Sequence, residues 1–236
     1  MQFITVDTYE ELSKKTAEII AQQVKTKPNA VLGLATGSSP LGTYKNLIQA
    51  YQNGELDFSG VTSINLDEYV GLDGENDQSY RYFMNTNLFS QINICPENTY
   101  VPDGCSENFA KECKEYDERI EKFGGIDIQL LGIGLDGHIG FNEPDDVFIK
   151  ATHLVDLDES TIDANARFFA SRDEVPRKAI TMGMGGIMTA KKVLLIANGK
   201  NKEEIVQKAF FGEITPQVPA SILQLHPDVT VIYSKN

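Results

Sequence analysis

Residues 30–44 read AVLGLATGSSPLGTY, and the punctuation of that stretch decides the fold class. The run at 30–35 contains no polar residue, which suits a strand buried on both faces. Thr36, Gly37, Ser38 and Ser39 interrupt it. Ser39 and Pro40 then read as the N-cap and first residue of a helix over about 40–52. A buried strand leading straight into a helix is the repeating unit of parallel α/β sheets. The unit recurs on either side. Apolar, β-branched runs at 3–6, 61–66, 126–133, 152–155, 179–182, 193–197 and 229–232 read as further strands. Amphipathic stretches at 8–25, 79–90, 106–123 and 201–211 read as helices, the first opened by a Thr8/Glu11 capping box. The expected fold is α/β, a single domain over residues 1–236 with a mainly parallel sheet and helices on both faces. The charged and least regular stretch, about 145–176, is expected to be an inserted flap.

A chain of 236 residues can bury a full core without disulfides. Its 34 acidic against 21 basic residues give a net charge of −13. That balance opposes nucleic acid and anionic membranes, which require clustered Lys and Arg. One local pocket can still oppose the global field, so a small anionic substrate stays open. No apolar run approaches the roughly 20 residues that span a bilayer, and the N-terminus lacks a signal-peptide pattern. Cys95, Cys105 and Cys113 form no CxxC pair and no zinc-type cluster with histidine. Reduced thiols in a cytoplasmic protein are expected.

In open parallel sheets ligands bind beyond the carboxyl ends of the strands, so the loops that follow each strand matter most. After 30–35, Gly37 and the hydroxyls of Thr36, Ser38 and Ser39 precede a helix N-terminus. Its free amides and positive dipole end suit an oxyanion or phosphate, although a plain capped turn would look the same. After 61–66 come Asp67 and Glu68. Adjacent positions point apart, so one acid is expected to face the site as a general base and the other the scaffold. Ordinary loop acids are the competing reading.

After 126–133 the chain continues as GLDGHIGFNEP over 134–144. Gly132, Gly134 and Gly137 fit G-x-G-x-x-G, but Asp136 inside that turn would repel a pyrophosphate. The better reading uses His138, with Asp136 before it and Glu143 after it. An imidazole between two carboxylates has a raised pKa, which suits both donating and accepting protons. His153 and His226 have no such company and are expected to be structural.

Taken together, LGLATGSSPLGTY (32–44), NLDEYVGL (65–72) and LGIGLDGHIGFNEP (131–144), with NARFF (165–169) and QLHP (224–227), resemble the glucosamine-6-phosphate deaminase family. The likeness runs over about residues 2–234. The D-G-H segment is shared with the related 6-phosphogluconolactonases, whereas NLDEY and FNEP are the deaminase form. The resemblance implies a Rossmann-like sheet and conversion of glucosamine 6-phosphate and water to fructose 6-phosphate and ammonia. It implies no metal and no cofactor. It assigns Asp67 as the base moving a proton between C2 and C1, and His138 as the acid/base that opens the sugar ring. Asp136 and Glu143 would orient and tune His138. Thr36, Gly37, Ser38 and Ser39 would form the phosphate loop, with Arg167 and Lys202 as its clamp. A lysine at a helix start, as at 202, is electrostatically awkward unless an anion is near. The alternative is a lactonase-like phosphosugar hydrolase, with His138 activating water. Longer family members are activated by N-acetylglucosamine 6-phosphate between subunits. Here the segment after NEP is acid-rich, with only Lys150 and His153 as possible cations. No such activation is expected, and a monomer or small homo-oligomer is.

Overall fold

The computed structural model describes residues 1–236, except the side chains of Ser160, Ala164 and Phe168. In chain order the first half holds β1 (Gln2–Val6), α1 (Tyr9–Thr26), β2 (Val31–Leu34), α2 (Leu41–Gln52), β3 (Thr62–Asn65), β4 (Asp67–Tyr69), α3 (Tyr80–Asn87), β5 (Thr99–Tyr100) and α4 (Phe109–Lys122). The second half holds β6 (Ile128–Leu131), β7 (His153–Asp156), α5 (Glu159–Asn165), β8 (Lys178–Thr181), α6 (Met184–Met188), β9 (Val193–Asn198), α7 (Glu203–Phe211) and β10 (Val229–Ser234).

Seven strands make one sheet in the order β1-β10-β9-β6-β2-β3-β5, with every pairing parallel. Successive side chains of a strand face opposite sides, and every residue of β2, β6 and β10 is buried. Both faces are therefore covered, α1 packing on α2 and against β9 and β10. The chain runs outward from β2 through β3 to β5, then returns to lay β6 on the other side of β2. The crevice beyond β2 and β6 is the switch point of the sheet. The expected single α/β domain stands.

Two expected strands lie elsewhere. β7 and β8 join β4 in a separate antiparallel sheet, ordered β4-β8-β7. β7 is only half-buried and ends on exposed Asp156, so it could not sit in a sheet covered on both faces. The small sheet has its own core of Tyr69, Phe141, Leu157, Ile162, Val175 and Ala179. β4, β5, α5 and α6 were not expected, and the expected helix over 79–90 ends at Asn87, followed by a 3-10 turn at Phe89–Gln91. The segment expected to be irregular thus carries β7 and α5. At the start of α1, Thr8 Oγ1 accepts the Glu11 N–H at 3.2 Å. The Glu11 carboxylate accepts from Asp7 at 2.8 Å, one residue earlier than a standard box. Among the described residues, no helix is long and apolar enough to cross a membrane. Cys95, Cys105 and Cys113 are unpaired thiols.

Candidate active site

The three loops singled out in the sequence converge on one crevice of about 1350 Å³ at the switch point. The first follows β2. Gly37 takes φ +85°, a left-handed conformation that turns the chain toward the N-terminus of α2. Ser39 is not the cap: Pro40 holds that position, and no side chain of its own caps the helix. The role passes to a distant residue. Tyr9 Oη accepts the Gly42 N–H at 2.8 Å and lies 3.1 Å from the carbonyl oxygens of Ser38 and Ser39, where its proton donates. Thr36, Gly37, Ser38 and Ser39 line the crevice beside that helix end.

The second loop divides its two acids as expected. Glu68 faces the scaffold, accepting N–H donors from Tyr69 at 2.8 Å and from Tyr80 and Arg81 at 2.9 Å, the last two opening α3. Burial raises its pKa to about 7 against those hydrogen bonds. Asp67 faces the crevice, 6% exposed. Burial, reinforced by the charge of Glu68 and opposed by that of His138, raises its carboxyl to about 8. A carboxylate so destabilised is a stronger base than a solvated one.

The third loop holds the imidazole. His138 Nδ1 lies 2.8 Å from Asp136 Oδ1 and 3.4 Å from Glu143 Oε2. Asp136 Oδ1 also accepts the His138 N–H at 3.1 Å, fixing the turn. With Nδ1 turned toward the two carboxylates, Nε2 is the nitrogen left for substrate. Burial opposes the charged imidazolium, but the two carboxylates outweigh it and raise His138 to about 9. Burial likewise opposes charge on Asp136, yet His138 draws its pKa well below the usual range. The ring packs so closely on Gly134 that a Cβ there would lie 2.4 Å from it. That glycine is required by space, not by conformation.

Arg167 and Lys202 both line the crevice. Lys202 Nζ donates to the Ile133 carbonyl at 2.7 Å, which aims it across the end of β6. Burial, with a smaller push from Arg167, lowers its pKa below the ordinary lysine range. Every residue assigned from the sequence except Glu143 therefore lines one crevice; Glu143 stands behind His138, joined to the site through the imidazole. Sequence reading missed Tyr9, Tyr80, Thr161, Asn165 and Asn198, which also line the crevice. Of these, only Asn165 carried a signal, in the NARFF segment. His226 is structural: Nε2 lies 2.8 Å from the Ala190 carbonyl, and Nδ1 accepts the Asp228 N–H. His153 Nδ1 lies 2.9 Å from the Ala151 carbonyl, away from the imidazole site.

Asp136, His138 and Glu143 bring one donor atom each within 4.8 Å of one another, the one such group among the described residues. Two ligands on a tetrahedral zinc lie roughly 3.3 Å apart, by the bond lengths such ions take. The 2.8 Å contact between Asp136 and His138 is the spacing of a shared proton instead.

Residues 5–232 match the glucosamine-6-phosphate isomerases/6-phosphogluconolactonase family. The chain belongs to that family. It is 63% identical over 232 residues to a glucosamine-6-phosphate deaminase of Lachnoclostridium phytofermentans, spanning 98% of each chain. A solved monomeric glucosamine-6-phosphate deaminase superposes with a TM-score of 0.97 at 47% identity, covering 99% of this chain and 97% of that one. A 6-phosphogluconolactonase from Shewanella baltica shares the fold at a TM-score of 0.77 and 19% identity, covering 100% of this chain and 98% of that one. In the family's terms, the lactonases are the distant branch and the deaminases the near one.

Proposed function

We propose that this chain is a glucosamine-6-phosphate deaminase, converting glucosamine 6-phosphate and water to fructose 6-phosphate and ammonia. The observation that carries the reading is a buried, crevice-facing Asp67 in the same site as His138: an isomerising deaminase needs that second base, whereas lactone hydrolysis needs only His138 to activate water. Helix-end amides at 37–42, Arg167 and Lys202 would hold the phosphate and so fix the sugar relative to the base. As an imidazolium, His138 would give the Nε2 proton to O5 and take one from O1, opening the ring. Asp67 would then remove the C2 proton as O1 takes one back, and deliver it to C1, leaving an alcohol at C1 and an imine at C2. Water adds to that carbon, the amine takes a proton and leaves as ammonia, and the ketone remains. The side chains relay these protons between substrate and water.

The whole chain would act as one catalytic domain, with the 145–176 segment as a flap, since Thr161, Asn165 and Arg167 line the crevice from that side. A monomer in the cytoplasm is the state that best fits the monomeric structural relative and the reduced thiols. The test is ammonia release from glucosamine 6-phosphate, with Asp67→Asn expected to abolish it. Hydrolysis of 6-phosphogluconolactone without ammonia would place the chain with the lactonases instead.

A further inference from the structure

α5 brings a side chain that neither the proton chemistry nor phosphate binding has so far used. Thr161 is 4% exposed, and its Oγ1 donates to Glu143 Oε1 at 2.6 Å across 18 residues of sequence. The Glu143 side chain is itself 7% exposed. Its other oxygen, Oε2, is buried with no hydrogen-bond donor among the described residues, and it is this oxygen that lies 3.4 Å from His138 Nδ1. One carboxylate oxygen is thus anchored from α5, and the anchor turns the other toward the imidazole. Helix α5 passes directly into a 3-10 turn, Ala166–Phe168, which carries Arg167 into the same crevice. Ile162, next to Thr161, is 1% exposed in the core of the small sheet, which holds in place the helix that carries the hydroxyl.

We propose that Thr161 is a positioning residue: its hydroxyl holds Glu143 against His138, so that engagement of a phosphate at Arg167, further along the same segment, sets the geometry of the proton relay. The proposal rests on the deaminase reading for its catalytic consequence, but its structural content does not. Removing the hydroxyl leaves Glu143 Oε1 without its donor and the carboxylate free to turn away from the imidazolium, which weakens its hold on the ring. His138 is also faced by Asp136 on its own loop, by Asp67 on β4 and by Asp158 before α5, while Lys202 before α7 acts on Asp136. Those groups are unchanged in a Thr161 variant, so the comparison isolates Glu143.

Two measurements test this. In turnover of glucosamine 6-phosphate, Thr161→Val should lower kcat about 10–100-fold while KM stays within about a factor of three, and Thr161→Ser should restore most of kcat. Equal loss in the serine and valine variants would show a packing role and overturn the proposal. Independently of any activity, the His138 imidazole should titrate at lower pH in Thr161→Val than in the unsubstituted protein by NMR. Inorganic phosphate should raise that titration point in the unsubstituted protein and not in the variant. Identical titrations in the two proteins would overturn the proposal even if ammonia is released. Absent ammonia release in the unsubstituted protein would instead remove the deaminase reading, leaving the titration to judge Thr161.

Discussion

At the scale of single residues, the site works by placing carboxyl groups in contrasting surroundings. Asp136 pairs with an imidazole and is held ionised, whereas Asp67 has mainly burial and the neighbouring Glu68 acting on it, and is raised to about 8. A general base must be deprotonated, so kcat/KM should rise as pH increases through about 8 rather than through the ordinary carboxylate range. A pH profile of kcat/KM with its acid limb near 4 would contradict that environment for Asp67. Glu68→Gln should move the limb to lower pH, since it removes the second cause of the shift while keeping an oxygen for the Tyr69 and Tyr80 amides. Gly134→Ala offers a steric counterpart. Its methyl would meet the His138 ring at 2.4 Å, so kcat should fall by more than tenfold, about 1.4 kcal/mol. Turnover like that of the unsubstituted protein would show that the ring can shift without loss.

At the scale of elements, the phosphate loop is shaped by a helix to which it is not adjacent in sequence. Tyr9 on α1 bonds the start of α2 and the carbonyls of Ser38 and Ser39. Tyr9→Phe should therefore raise KM by about 0.5–1.5 kcal/mol, roughly two- to tenfold, and leave kcat nearly unchanged. Steady-state kinetics check this, and an unmoved KM would mean the loop keeps its shape unaided. The same pair shows where sequence reading stops. Strands β2 and β9 were legible because burial on both faces leaves long apolar runs, and β6 was legible despite the buried Gln129 within it. The site was legible because each of its main groups sits within one loop, where spacing alone places Asp136 and Glu143 near His138. β4 was not legible, because it is only three residues long and two of them, Asp67 and Glu68, are acids that strand propensity disfavours. Nor was α5, a seven-residue helix with one large apolar side chain, Ile162. The Tyr9 and Thr161 bonds join residues far apart in sequence, and no local pattern encodes them.

At the scale of the whole molecule, the site's protonation makes stability depend on pH. Folded Asp67 and Glu68 keep their protons up to about 8 and about 7, against ordinary values of 3.8 and 4.5. His138 keeps its proton up to about 9 against 6.5. Between about pH 5 and 9 the folded state binds more protons than the unfolded chain, so stability falls as pH rises through that window. Asp136 acts in the opposite sense, but its contribution is lost only on acidification below the ordinary carboxylate range. Melting temperature should decline from about pH 5 toward pH 9, and less steeply in Asp67→Asn. A rise over that range, followed by calorimetry, would refute the account. The net charge of −13 adds growing self-repulsion in the same direction. The sheet order has a separate consequence, in time rather than energy. β1 pairs in the sheet with β10 and with no other strand among the described residues, and β10 also closes on β9. β1 must wait for residues 229–234 before it can dock, so one edge of the sheet stays open until they have left the ribosome.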